Sequence, residues 1–169
     1  MTIEQFTEKD IQEAVELAYP VWGEEHASNG GKEFGKLMCE YIIRYGWYGE
    51  KYALTMLPSL TESQREEALA LRSYFVHTSP KVHQYMNPDE DLYLSFFISS
   101  AKGCGKILLN EMMKITSADG YKNMYLWTDS SCNHEYYDRN KFTLVSEFKN
   151  DDWDATNDSY LTYIYKKTI

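Results

Sequence analysis

The chain has 169 residues, 43% hydrophobic and 25% charged, with a formal net charge of −9. That length and balance fit one globular domain spanning residues 1–169 and exclude a disordered chain. The acidic excess argues against nucleic acid, which is bound through surplus Lys and Arg. It suits solubility first and a cationic ligand, such as an amine, second.

No apolar run reaches the length of a membrane span, and the opening MTIEQFTEKD lacks the basic-then-apolar order of a signal peptide, so neither is expected. Cys39, Cys104 and Cys132 are few, odd in number and far apart, which fits reduced thiols in the cytoplasm.

In chain order, Ile3–Phe6 reads as a short strand. Thr7 and Asp10 form a capping-box-like start, and Ile11, Ala14, Val15 and Ala18 follow at helical spacing, with Pro20 expected to end the helix. Gly23–Lys32 reads as a loop. Phe34, Leu37, Met38, Tyr41, Ile42 and Tyr45 then mark one apolar face of a helix, stopped at Gly46. Lys51–Met56 reads as a strand. Thr61 and Gln64 make a capping box for a helix over Glu62–Val76. Asn87-Pro88-Asp89 marks a turn.

Asp91–Ser99 has the apolar, aromatic pattern of a buried strand. It runs through Ser100 and Ala101 into Lys102-Gly103-Cys104-Gly105-Lys106, and a helix follows, ending near Gly120. A strand, a glycine loop and a helix start together make an anion site, because free backbone N–H groups and the positive helix end converge there. Asn123–Thr128 is a further strand and Asn133–Asn140 a short helix. Phe142–Phe148 is a strand with Phe142, Leu144 and Phe148 on one face. Asn150–Asp158 is an acidic loop, and Ser159–Lys167 is a closing strand. The expected class is α/β (or α+β), with a mixed sheet flanked by helices.

The loop fails two phosphate motifs. A Walker A loop needs Ser or Thr after Gly-Lys, and Ile107 stands there. A dinucleotide fingerprint needs a small residue where Leu108 stands. What the loop resembles is the pyrophosphate loop of the GNAT N-acetyltransferase superfamily, Gln/Arg-x-x-Gly-x-Gly/Ala. Gly103 and Gly105 match it, whereas Ser100 replaces the long Gln/Arg side chain. Two more pieces follow in the family's order. One is the strand NMYLWTD, and the other is Asn133–Phe142, which resembles Asn-x-x-x-Tyr-x-x-x-Gly-Phe through Asn133, Tyr137 and Phe142, with Lys141 in place of Gly.

The resemblance covers Asp91–Phe148. It implies a mostly antiparallel mixed sheet with a splayed central parallel strand pair that opens onto acyl-CoA. The family also carries a hairpin ahead of the loop. Lys51–Met56 supplies one arm, and no second arm is visible in Leu57–Tyr85.

The resemblance further implies transfer of an acetyl group from acetyl-CoA to a primary amine of a small molecule or peptide. Phe97 or Ile98 would offer a backbone N–H to the thioester oxygen. Ser99, Lys102, Gly103, Cys104, Gly105 and Lys106 would bind the pyrophosphate, and Asn133 the pantetheine arm. Tyr137 would contact the cofactor and protonate the leaving thiolate, as a phenol with an ordinary pKa near ~10 can. No general base stands out; Glu90, Asp91 and Glu135 are nominal candidates. The aromatic set Tyr41, Tyr45, Trp47 and Tyr48 reads equally as core and as acceptor wall. Cys104 reads as packing more readily than as a nucleophile at a helix start. Cys132 and His134 lack a second ligand pair, so no metal is expected. The partners implied are acyl-CoA and an amine, with no nucleic acid and no membrane, and a homodimer is compatible. The second reading is a non-catalytic acyl-CoA-binding or interaction domain with the same fold, motivated by Ser100 and the missing hairpin arm.

Overall fold

The computed structural model describes residues 4–49, 55, 57–149 and 160–169. The chain forms two compact units, Met1–Leu69 and Ala70–Ile169.

The first unit is helical among its described residues. Asp10 accepts from both the N–H and the hydroxyl of Thr7, each at 2.7 Å, closing the predicted box on a 3-10 turn over Glu8–Asp10. Helix α1, Ile11–Ala18, buries Ile11, Ala14, Val15 and Ala18, as their spacing requires. Glu4–Thr7 form no strand. Pro20 does not end the helical path. It sits in a π-helical turn, Tyr19–Gly23, whose wider winding accommodates a residue without an N–H to donate. Helical turns over Glu24–His26 and Ala27–Asn29 fill much of the predicted loop.

Helix α2, Gly31–Tyr48, buries Phe34, Gly35, Met38, Cys39, Tyr41 and Ile43. Its buried face is thus rotated from the expected stripe toward Gly35, Cys39 and Ile43, because α2 packs at Gly35 against Gly23. A β-carbon at Gly35 would collide with the Gly23 carbonyl oxygen. The helix passes Gly46 and stops at Gly49, whose φ of 74° is left-handed. The strand expected over Lys51–Met56 lies outside the described residues apart from Thr55, which is helical.

Helix α3, Glu62–His83, begins with the predicted box: Thr61 N–H donates to Gln64 at 3.1 Å and Gln64 N–H to Thr61 at 3.4 Å. It outruns Val76 and carries Pro80 near its end. In its first half Glu67 pairs with the buried His26 and accepts from Asn29 at 2.8 Å.

Among the described residues, the second unit is built on a four-stranded sheet with the order β1-β2-β4-β3. Strand β1 is Asp91–Tyr93, β2 is Asn123–Asp129, β3 is Thr143–Phe148 and β4 is Thr162–Thr168. β1 and β2 are parallel; β2/β4 and β3/β4 are antiparallel. Helix α4, Cys104–Ala118, makes the crossover from β1 to β2, and the short α5, Glu135–Arg139, joins β2 to β3. The chain is therefore a mixed α/β protein whose mostly antiparallel sheet is flanked by helices, as expected.

Alternation along β2 serves both sheet faces. Met124 and Leu126 join Leu109, Phe142 and Tyr165 in one core, while Tyr125 joins Val82 and Ile164 in the other. Each such aliphatic side chain contributes about 1.5–3 kcal/mol by leaving water. In β3 the expected single apolar face is broken. A register shift between Leu144 and Ser146 inserts Val145 as a bulge, so Phe142 packs on one core and Phe148 on the other, and Leu144 is 45% exposed.

Candidate functional site

The predicted site residues all fall in the second unit, where β1 and β2 part. The parallel ladder ends with the Leu94 N–H donating to the Tyr125 carbonyl at 2.8 Å. β2 runs on from Leu126 to Asp129, paired there with β4 on its other side. The strand expected over Asp91–Ser99 is thus only Asp91–Tyr93 long, and residues 94–100 take no regular structure. Once the chain leaves β2, its backbone groups have no ladder to join. Among the described residues, no backbone carbonyl accepts from the N–H of Phe97 or Ile98. Both side chains are half-buried.

The glycine loop follows. Ser99 is exposed and its hydroxyl donates to the Ala101 carbonyl at 3.4 Å. Ser100, Lys102 and Lys106 are exposed. Gly103 is the N-cap of α4, with φ 84° and ψ −16°, a left-handed conformation that favours glycine. Cys104 is the exposed first residue of the helix, and its N–H is taken by the Ala101 carbonyl at 3.1 Å. Helix geometry leaves the next N–H groups, those of Gly105 and Lys106, without helical acceptors. Gly105 is buried. A β-carbon there would meet the Ser99 β-carbon and the Tyr136 hydroxyl at 3.5 Å and the Phe97 ring at 3.6 Å.

The contact with the loop is therefore made by Tyr136, the neighbour of the motif tyrosine. Its ring lies 6.0 Å from that of Phe97. Its hydroxyl is buried and has no hydrogen-bond partner among the described residues, and burial pushes its pKa up.

Tyr137 is set in an aromatic frame of Tyr136, Phe142 and Tyr165, with ring centroids at 5.5, 5.2 and 5.5 Å. Burial, chiefly, holds its phenol above the ordinary value, and the neighbouring Cys132, Tyr136 and Tyr165 add to this. It is protonated at neutral pH, but as a weaker acid than the ordinary phenol expected from the sequence.

Asn133 is exposed and accepts from Arg139 at 3.1 Å, which ties its side chain back to α5. His134 stacks on Tyr163 at 4.4 Å. Cys39, Cys104 and Cys132 form no disulfide among the described residues. Among the described residues no group of three or more His, Cys, Asp or Glu is disposed to hold a metal, and no helix is long and apolar enough to cross a membrane. Of the nominal bases, Asp91 is buried and spent on the Asn87 N–H at 2.8 Å and the Asn123 amide at 2.6 Å. Glu90 pairs with Lys122, and Glu135 with Arg139.

Sequence reading passed over a second cluster at the end of β2. Asp129 is 6% exposed. It accepts from the Tyr74 hydroxyl at 3.1 Å, from the Ser131 N–H at 3.0 Å and from the Ser131 hydroxyl at 2.6 Å. The available signal was a carboxylate closing the apolar strand NMYLWTD at its C-terminal end, where α/β sheets place their ligands.

No family model matches the chain, and no curated protein matches it. Among solved structures, the chain is similar to an acetyltransferase from Bacillus cereus ATCC 14579, with 15% identity and a TM-score of 0.36. The match covers 47% of this chain and 54% of that one, so it spans about half of each.

Proposed function

We propose that the chain is an acetyl-CoA-dependent N-acetyltransferase of the GNAT kind, moving an acetyl group directly to a primary amine. The observation that carries this reading is the parting of β1 from β2 after Leu94, followed at once by left-handed Gly103 and the start of α4. A thioester lying in that opening would meet the N–H groups of Phe97 and Ile98, from which no described backbone carbonyl accepts. Those groups would stabilise the oxyanion of the tetrahedral intermediate. The pyrophosphate would take the N–H groups of Gly105 and Lys106, with Ser99, Gly103, Cys104 and the cations Lys102 and Lys106 around it. Tyr137 would protonate the departing thiolate, and Asn133 would border the pantetheine arm once released from Arg139.

The second reading, a non-catalytic acyl-CoA-binding domain, draws on Ser100, too short to wrap a pyrophosphate, and on the engagement of Asn133 by Arg139.

Acetyl-CoA tests both. A ligand that binds only the folded state at a hundred times its Kd adds about 2.7 kcal/mol of stability. A clear rise in melting temperature at millimolar acetyl-CoA is expected, and no rise removes both readings. Release of free thiol across an amine panel then separates enzyme from binder.

A further inference from the structure

The Tyr136 hydroxyl is buried and has no hydrogen-bond partner among the described residues. The packing of its ring does not require it. Phe97 at 6.0 Å and Tyr137 at 5.5 Å frame an aromatic ring, and a phenylalanine would fill the same frame. A hydroxyl that gives up water and gains no partner destabilises the fold that holds it. Its presence calls for an acceptor from outside the chain.

Gly105 marks where that acceptor would sit. The Tyr136 hydroxyl and the Ser99 β-carbon each lie 3.5 Å from the point that a β-carbon on Gly105 would occupy, and the Phe97 ring lies 3.6 Å from it. Tyr136 reaches this point from α5, and Gly105 belongs to the first turn of α4. Helix geometry leaves the N–H groups of Gly105 and Lys106 without helical acceptors. The hydroxyl therefore adds a third donor, from a second element, beside two backbone donors. Phe97 and Ser99 share the contact from the stretch 94–100, which has left the β2 ladder and takes no regular structure. They can give way to a ligand at that turn without breaking a strand pair.

The ligand follows from the donors. Burial keeps the phenol protonated, so it donates. A phosphoryl oxygen accepts, carries negative charge and suits the positive end of α4, with exposed Lys102 and Lys106 nearby in the chain.

We propose that the Tyr136 hydroxyl donates to a pyrophosphate oxygen of acyl-CoA on the first turn of α4. Tyr136 is then a cofactor-binding residue that the sequence motif does not mark, doing from α5 what exposed, short Ser100 cannot do from the loop. This rests on the acyl-CoA site common to both readings above and assigns it a further residue. Its task is binding, and proton transfer stays with Tyr137.

The experiment uses Tyr136→Phe, which keeps the ring and removes only the oxygen. Calorimetry gives the Kd of acetyl-CoA. Competition against acetyl-CoA gives that of S-acetylpantetheine, a thioester with no phosphate. Loss of a hydrogen bond to a charged group should weaken acetyl-CoA binding by about tenfold or more. S-acetylpantetheine affinity should stay within about twofold of the wild-type value. Without ligand, the variant should melt at a temperature no lower than the wild type, because the hydroxyl it loses has no partner in the fold.

Equal acetyl-CoA affinity in the variant, or an equal loss on both thioesters, would overturn the proposal and leave the acyl-CoA reading standing. So would a lower melting temperature of the variant, since the fold itself would then be using the hydroxyl. A wild type that binds no acetyl-CoA removes that reading and the proposal together.

Discussion

The Tyr136 hydroxyl lies 3.5 Å from the point that a β-carbon on Gly105 would occupy. That spacing is ordinary van der Waals contact, so Gly105→Ala is accommodated without displacing Ser99, Phe97 or Tyr136. Alanine is the better helix former by about 0.5–1 kcal/mol. The added methyl sits over the first turn of α4, where a phosphate would approach. We expect Gly105→Ala to raise stability slightly in chemical denaturation and to weaken acetyl-CoA binding by about tenfold in calorimetry, since losing about 1.4 kcal/mol of contact is tenfold in Kd. Equal affinity would mean that the cofactor does not pass over Gly105.

Tyr137 separates chemistry from binding. Removing its hydroxyl takes away the proposed proton donor and leaves the aromatic frame. Tyr137→Phe should lower kcat by about 10²-fold, the lower range for lost acid–base assistance, with little change in acetyl-CoA affinity. Steady-state kinetics beside direct binding reads this. Unchanged turnover takes Tyr137 out of the mechanism.

Lys141 holds φ at 61°, a left-handed conformation where the resembled segment carries Gly. A non-glycine residue there costs about 1–2 kcal/mol. Glycine gives part of that back through the greater freedom of its unfolded chain. Lys141→Gly should therefore stabilise the protein by about 0.5–1 kcal/mol, read as a higher denaturation midpoint at unchanged slope. A lower midpoint would show that the Lys141 side chain outweighs its backbone strain.

Alkaline stability follows from Tyr74. Burial, then the Asp129 charge, holds its phenol above the ordinary value of 10.0. Because the folded-state pKa is the raised one, this contribution is complete below pH 10 and is lost as pH rises above it. Above that point the unfolded chain sheds a proton that the folded chain keeps, and one such group removes about 1.4 kcal/mol per pH unit. Urea midpoints between about pH 9 and 11.5 should fall steeply in the wild type. In Tyr74→Phe the fall should be shallower by about that slope; parallel curves would contradict it.

The elements legible in the sequence are those whose cause is local. The boxes at Thr7–Asp10 and Thr61–Gln64 and the left-handed Gly120 need only their own neighbours. What failed depended on partners far away in the chain. Residues 94–100 have strand composition but lose the β2 ladder. The Val145 bulge, which divides Phe142 from Phe148, is a property of the pairing with β4. Pro20 continues the helical path because a π-turn receives it. In the site, the motif singled out Tyr137, yet the side chain against Gly105 is Tyr136, since adjacent helical positions point about 100° apart. The Asp129 cluster joins residues 74, 129, 131 and 162, a span that periodicity cannot reveal.

The strand order β1-β2-β4-β3 puts Thr162–Thr168 between β2 and β3. During synthesis the ribosome delivers the two neighbours first and the strand that joins them last. Until β4 emerges, β2 and β3 expose unpaired edges, an invitation to association with other nascent chains. The sheet is completed by insertion, so its folding waits on long-range contacts and is slow relative to that of the N-terminal helices.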